Sequence, residues 1–150
     1  MRKKCPRLLT VAFCLLAMSA PAVRAEQEPP SPVVRLYEIL SAHPLKQADT
    51  LSSVELLRGQ GVSAHLIQVR SRVRPHFHKE HEETVYIIEG SGIFVLGDRA
   101  YPVKAGALMV IPRGAIHSFE AKVLTKVLSI FDPPFDPEDR VLVDEPGAKP

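Results

Sequence analysis

The sequence predicts an all-β domain, a sandwich or small barrel, on three observations. Short β-prone runs follow one another from Ser52 to Phe131. Glycine-bearing turns punctuate them at Gly90-Ser91-Gly92, Gly97-Asp98, Lys104-Ala105-Gly106 and Arg113-Gly114. No helical periodicity long enough for a crossover lies between the runs, so a parallel α/β sheet is not expected.

The segments justify this in chain order. Residues 1–25 have the layout of a secretory signal. Basic Arg2, Lys3, Lys4 and Arg7 precede the apolar run Leu8–Met18, and Val23-Arg24-Ala25 offers a cleavage site before Glu26. The apolar run is shorter than the roughly 20 residues a membrane span needs. Phe13 before Cys14 does not suit a lipid-attachment site, so the expectation is an exported, periplasmic or secreted protein, free of the membrane after cleavage.

Residues 26–50 read as a polar, proline-rich linker and N-terminal extension, in which Val33–Leu40 fits a short helix or a strand equally well. Residues 51–144 are the β-domain. Its expected strands are Ser52–Arg58, Val62–Val73, Thr84–Ile88, Ile93–Leu96, Ala100–Val103, Leu108–Ile111, Ile116–Glu120 and Val123–Phe131. Asp132-Pro133-Pro134-Phe135-Asp136-Pro137 cannot join a central strand, and Asp139–Val143 follows as a late edge strand. Residues 145–150 are a frayed tail.

Charge and cysteine content narrow the function classes. The first 25 residues hold five of the 19 Lys+Arg and none of the 17 Asp+Glu, so the remainder has 14 basic residues against 17 acidic ones. That balance gives no basic stripe for nucleic acid. Both cysteines, Cys5 and Cys14, lie inside the signal. The rest of the chain can form no disulfide and offer no thiolate, so any metal would be held by histidine and carboxylate.

Such ligands are concentrated in Pro75-His76-Phe77-His78-Lys79-Glu80-His81-Glu82-Glu83. His76 and His78 stand two apart, so on one strand both imidazoles share a face. Glu83 opens the next β-prone run and would return a carboxylate beside them. Imidazoles and a carboxylate aimed at one volume suit a divalent transition metal. The bland alternative is a solvated strand edge carrying histidine and glutamate. A second stretch, Gly106 to His117, reads as a buried strand, a tight Pro112-Arg113-Gly114 corner and a histidine just past it. Alone, that pattern equally fits a core or surface histidine.

Together the two stretches resemble the cupin superfamily. Its first motif is Gly, five residues, His-x-His, three or four residues, Glu, six residues, Gly. His76, His78, Glu83 and Gly90 match, with Arg70 at the place of the leading glycine. The second is Gly, five residues, Pro-x-Gly, two residues, His, three residues, Asn. Gly106, Pro112, Gly114 and His117 match, and Ala121 stands where the asparagine would be. Fifteen residues, 91–105, separate the motifs, similar to small single-domain microbial cupins.

The resemblance implies a double-stranded β-helix, a jelly-roll barrel, with His76, His78, Glu83 and His117 as ligands of one divalent Fe, Mn, Ni, Co, Cu or Zn. Glu83 is preferred to Glu82 because only it leaves six residues before Gly90. Val85, Ile87 and Phe119 share strand parity with the ligands and would wall a substrate pocket, with His81 at its rim. Arg70, Arg72 and Arg74 share parity with His76 and face inward if their strand is unbroken; a bulge at Pro75 would turn them to solvent. His43 and His65 lie outside both motifs and are expected to be ordinary.

The implied activity is metal-dependent chemistry on a small molecule, dioxygenase-like or of the isomerase or lyase type. The alternative is a non-catalytic module that binds a small molecule, a sugar or the metal itself. Isomerase chemistry would need a general base, for which Glu82, His81 or a tyrosine are the candidates, but nothing in the sequence places one at the metal. A homodimer is expected by resemblance alone.

Overall fold

A computed structural model describes residues 33–144 of the chain. The expected signal, residues 26–32 of the linker and the tail lie outside the described residues.

The first element is a helix, α1 (Leu36–Ala42), which resolves the ambiguity of this segment. Leu40 is its buried residue, as the shared face of Leu36, Ile39 and Leu40 requires. Gln68 Nε2 donates to the carbonyl of His43 at 2.7 Å, fastening the chain after α1 to the outside of the neighbouring sheet. Among the described residues, no helix is long and apolar enough to cross a membrane.

The strands are β1 (Leu51–Arg58), β2 (Ser63–Val69), β3 (Arg72–His78), β4 (Glu82–Glu89), β5 (Ser91–Leu96), β6 (Arg99–Lys104), β7 (Leu108–Ile111), β8 (His117–Ala121), β9 (Thr125–Asp132) and β10 (Arg140–Leu142). They form two five-stranded antiparallel sheets in the orders β1-β2-β9-β4-β7 and β10-β3-β8-β5-β6. Consecutive strands repeatedly change sheet, which is the jelly-roll way of closing two sheets over one core.

Alternation places the core between the sheets. Along β9, Thr125, Val127, Ser129 and Phe131 are all buried while the residues between them are not. Along β4, Glu83, Val85 and Ile87 point the same way, and Ile87 is fully buried. That burial alone is worth about 1.5–3 kcal/mol.

The expected run Val62–Val73 is two strands. β2 pairs with β1 and β9, whereas β3 pairs with β8 and β10 in the other sheet. The chain changes sheet at Arg70-Ser71: the Arg70 N–H donates to Thr50 O at 2.8 Å, and Ser71 O accepts from Ala121 at 2.7 Å. Apolar alternation simply continues across the crossing, so the pattern holds no mark of it.

The register between β3 and β8 is broken. Val73 faces Phe119 and His76 faces His117, so three steps on β3 oppose two on β8. This bulge at Arg74-Pro75 decides between the two orientations left open for Arg72 and Arg74, whereas Arg70 precedes β3 at the sheet change. Arg70, Arg72 and Arg74 are exposed while His76 and His78 are buried.

Two motif glycines are required by backbone geometry. Gly90 has φ +93°, and a Cβ there would stand 2.5 Å from Thr125 Oγ1 and 2.7 Å from Leu124 O. Gly114 has φ +74°, and its N–H donates to His78 O at 2.7 Å. The corner of the second motif is thereby bonded to the strand of the first, which brings His117 beside His78.

Candidate metal centre

Four buried side chains converge from three strands: His76 and His78 of β3, Glu83 of β4 and His117 of β8. One ligand atom from each lies within 4.8 Å of the others. The strand pairs explain the convergence. His76 is directly opposite His117, and their rings stand 4.1 Å apart between centroids. Glu83 arrives from the facing sheet, its Oε2 3.2 Å from His117 Nε2 and 3.6 Å from His78 Nε2.

Hydrogen bonds set the ring tautomers. His76 Nδ1 lies 2.8 Å from Arg74 O and His117 Nδ1 lies 2.9 Å from Ala115 O. A carbonyl oxygen can only accept, so both Nδ1 atoms carry the proton and both Nε2 atoms present a lone pair inward. His117 Nε2 and His78 Nδ1 are buried without a hydrogen-bond partner. A buried polar atom left unpaired costs free energy; a cation in front of His117 Nε2 would remove that cost. The donor set therefore fits a divalent transition metal.

The electrostatics agree. Burial, then the neighbouring His117 and the Arg140 cation, push the His76 pKa down to about 3, so its ring is neutral. Burial alone would raise the Glu83 carboxyl, but the His117 and His78 rings beside it and the Ser129 hydroxyl that donates to it more than reverse it. Glu83 sits well below the usual carboxylate range. Neutral imidazoles and an ionised carboxylate are the forms that bind metal.

The cluster opens on a cavity of about 190 Å³ between the sheets, walled by apolar side chains that include Val73, Val85, Ile87, Phe94 and Phe119. Val85, Ile87 and Phe119 therefore line the space beside the four ligand candidates. His81 does not line it. Its Nδ1 donates a short hydrogen bond to Asp139 Oδ2, and its Nε2 lies 3.2 Å from the Asp136 N–H. His81 borders a separate depression with Lys79, Glu80, Pro134, Asp136 and Asp139. Glu82 is exposed. His43 is exposed, and His65 is buried against Phe131 and Phe135, each centroid 5.4 Å away.

Three residues at the site escaped sequence reasoning. Ser129 Oγ donates to Glu83 Oε1 in a short hydrogen bond. Its signal was available: a hydroxyl between Val127 and Phe131 on the inward register of an apolar strand. Asp139 Oδ1 accepts the N–H groups of Lys79 and Glu80 at 3.0 and 2.9 Å, and its Oδ2 stands 3.7 Å from His78 Nδ1. Arg140 lines the cavity from β10. Neither could be found before the pairing of β10 with β3 was known.

A family model for the cupin domain matches residues 65–131. L-ectoine synthase of Shouchella clausii is 34% identical over 95 residues, spanning 61% of this chain and 69% of that protein. The crystal structure of ectoine synthase from P. lautus superposes with a TM-score of 0.58 at 25% identity, covering 76% of this chain and 91% of that one. Pac13 of Streptomyces, a nucleoside dehydratase, superposes with a TM-score of 0.52 at 19% identity, covering 61% and 84%. At that identity the likeness is one of fold.

Proposed function

Since the chain belongs to the cupin family, we propose that it is a metal-dependent enzyme acting on a small molecule, with His76, His78, Glu83 and His117 as the ligands. The observation that carries this is the convergence of three buried imidazoles and one buried carboxylate at the end of an apolar cavity. When bound, a divalent transition metal would polarise an oxygen of the substrate as a Lewis acid.

The chain's own residues do the rest. Arg74 and Ala115 hold the His76 and His117 rings by their carbonyls, and Ser129 orients Glu83. Val85, Ile87 and Phe119 keep the cavity apolar, which strengthens electrostatic interactions inside it. Among the described residues, the ionisable lining of the cavity consists of the four ligands and Arg140.

Within this class we place synthase or lyase chemistry ahead of the dioxygenase-like chemistry expected from sequence. The support is that relatives at 32–34% identity are L-ectoine synthases. A second proposal, a non-catalytic binding module, is favoured by one observation. His81, Glu82 and the tyrosines, the candidate general bases, do not line the cavity. We also propose that residues 1–25 direct export. N-terminal sequencing of the protein recovered outside the cytoplasm should then begin at Glu26.

The deciding experiment is metal analysis of the protein purified without a metal-binding tag, followed by turnover assays on small-molecule panels with and without oxygen. About one equivalent of metal, lost in His76→Ala, with oxygen-independent turnover, supports the proposal. Tight ligand binding without turnover selects the binding module. Failure to take up any of Fe, Mn, Ni, Co, Cu or Zn overturns the metalloprotein.

A further inference from the structure

The cavity holds one cation that the metal centre does not use. β10 pairs with β3 so that Arg140 stands directly opposite His78. Cross-strand partners project to the same face, so the Arg140 side chain leaves β10 on the side of the metal ligands. It lines the cavity and is exposed as well, which places it at the mouth.

The Arg140 backbone N–H donates to Pro137 O, but its guanidinium makes no hydrogen bond and no ion pair with the described residues. Other arginines of the domain are engaged. Arg58 is 2.7 Å from Glu55, Arg35 is 3.6 Å from Glu38, and Arg70 bonds the carbonyls of Leu45, Lys46 and Asp49. The nearby carboxylate, Glu83, accepts from Ser129 and faces the His78 and His117 rings rather than Arg140. Exposed Arg74 adds a second positive charge close to Arg140. Guanidinium is the side chain best matched to a planar carboxylate, through two parallel N–H···O bonds.

We propose that Arg140 is the anion-binding residue of this site and that the ligand is a small organic acid. Its carboxylate pairs with Arg140, a second oxygen reaches the metal, and an apolar body lies against Val85, Ile87 and Phe119. The metal contact rests on the proposed metalloprotein; the contact with Arg140 does not. The bland alternative is a solvated charge that blunts the exposed edge of β10.

Calorimetric titration of the metal-loaded protein with 4-methyl-2-oxopentanoate and with its neutral amide separates the two. The acid should bind about tenfold or more tightly than the amide, as expected for a charge-assisted hydrogen-bond pair. Arg140→Gln should abolish the preference by weakening the acid alone, with metal content unchanged, and Arg140→Lys should restore part of it. Equal binding of acid and amide to the native protein overturns the proposal, as does an undiminished preference in Arg140→Gln. The same pair of titrations after chelation isolates the other premise. If the protein takes up no metal but keeps an Arg140-dependent preference, the metalloprotein fails and the anion site stands.

Discussion

Asp139 Oδ2, which accepts the Nδ1–H of His81, also stands 3.7 Å from Nδ1 of the metal-ligand candidate His78. The same carboxylate gathers the backbone N–H groups of Lys79 and Glu80. Asp139 thus ties together β10, the turn before β4 and one ring of the cluster. At 3.7 Å the carboxylate is no hydrogen-bond partner of His78, but its charge favours a proton on the facing Nδ1 and raises the basicity of the ring. Asp139→Asn preserves volume but removes that charge. We expect metal affinity to fall about tenfold or more, and the metal-free protein to melt at lower temperature. Unchanged affinity in competition with a chelating dye would show that Asp139 only shapes the turn.

Adjacent carboxylates provide a sharp contrast. Glu83 is buried among three histidines and Ser129, whereas Glu82 points to solvent on the opposite face of β4. Glu83→Gln should weaken metal binding by about 100-fold or more, since it removes the one charged ligand. Glu82→Gln should leave it within about twofold, as exposed surface substitutions usually do. Equal effects in parallel metal titrations would sink the assignment of Glu83.

Legibility followed the range of each interaction. His76 and His78 were visible as a pair because strand parity acts within a few residues, whereas Glu83 and His117 were placed beside them only by the motif spacing of the family they resemble. Which way Arg74 points was undecidable, because it depends on a bulge that exists only in the pairing of β3 with β8. The sheet change at Arg70-Ser71 was hidden because both strands keep an apolar inward face. Asp139 and Arg140 lie about 60 residues from the histidines they join, and only the β10–β3 pairing brings them there.

Gly90 should be intolerant of any side chain. Its φ is +93°, and a methyl carbon on it would stand 2.5 Å from Thr125 Oγ1, so backbone that β9 holds in place would have to move. Gly90→Ala should destabilise the protein by about 1–3 kcal/mol. Gly61, with open space around its Cβ position, is the control, and Gly61→Ala should stay within about 0.5 kcal/mol. Chemical denaturation of the two variants checks this; similar midpoints would contradict the close packing of Gly90.

Acid should destabilise the metal-free protein, and the sign can be worked out group by group. Burial first, then its charged neighbours, depress His76 to about 3 in the folded state against an ordinary value of 6.5. Below pH 6.5 the unfolded chain therefore binds a proton that the folded chain refuses, and stability is lost as pH falls towards 3. Glu83, opposed by burial but held down by the adjacent histidine rings and the Ser129 hydroxyl, lies below its ordinary 4.5 when folded. Its contribution is present above 4.5 and is lost as pH falls further. The two effects have the same direction, so the melting temperature of the chelated protein should decrease steadily from pH 7 to pH 4. His76→Asn should flatten the part of that profile between pH 6.5 and 4.5. Glu83→Gln should flatten only the part below 4.5. A native profile that is level from pH 7 to pH 4 would mean that His76 takes up its proton without cost, and the ring could not then be buried and neutral.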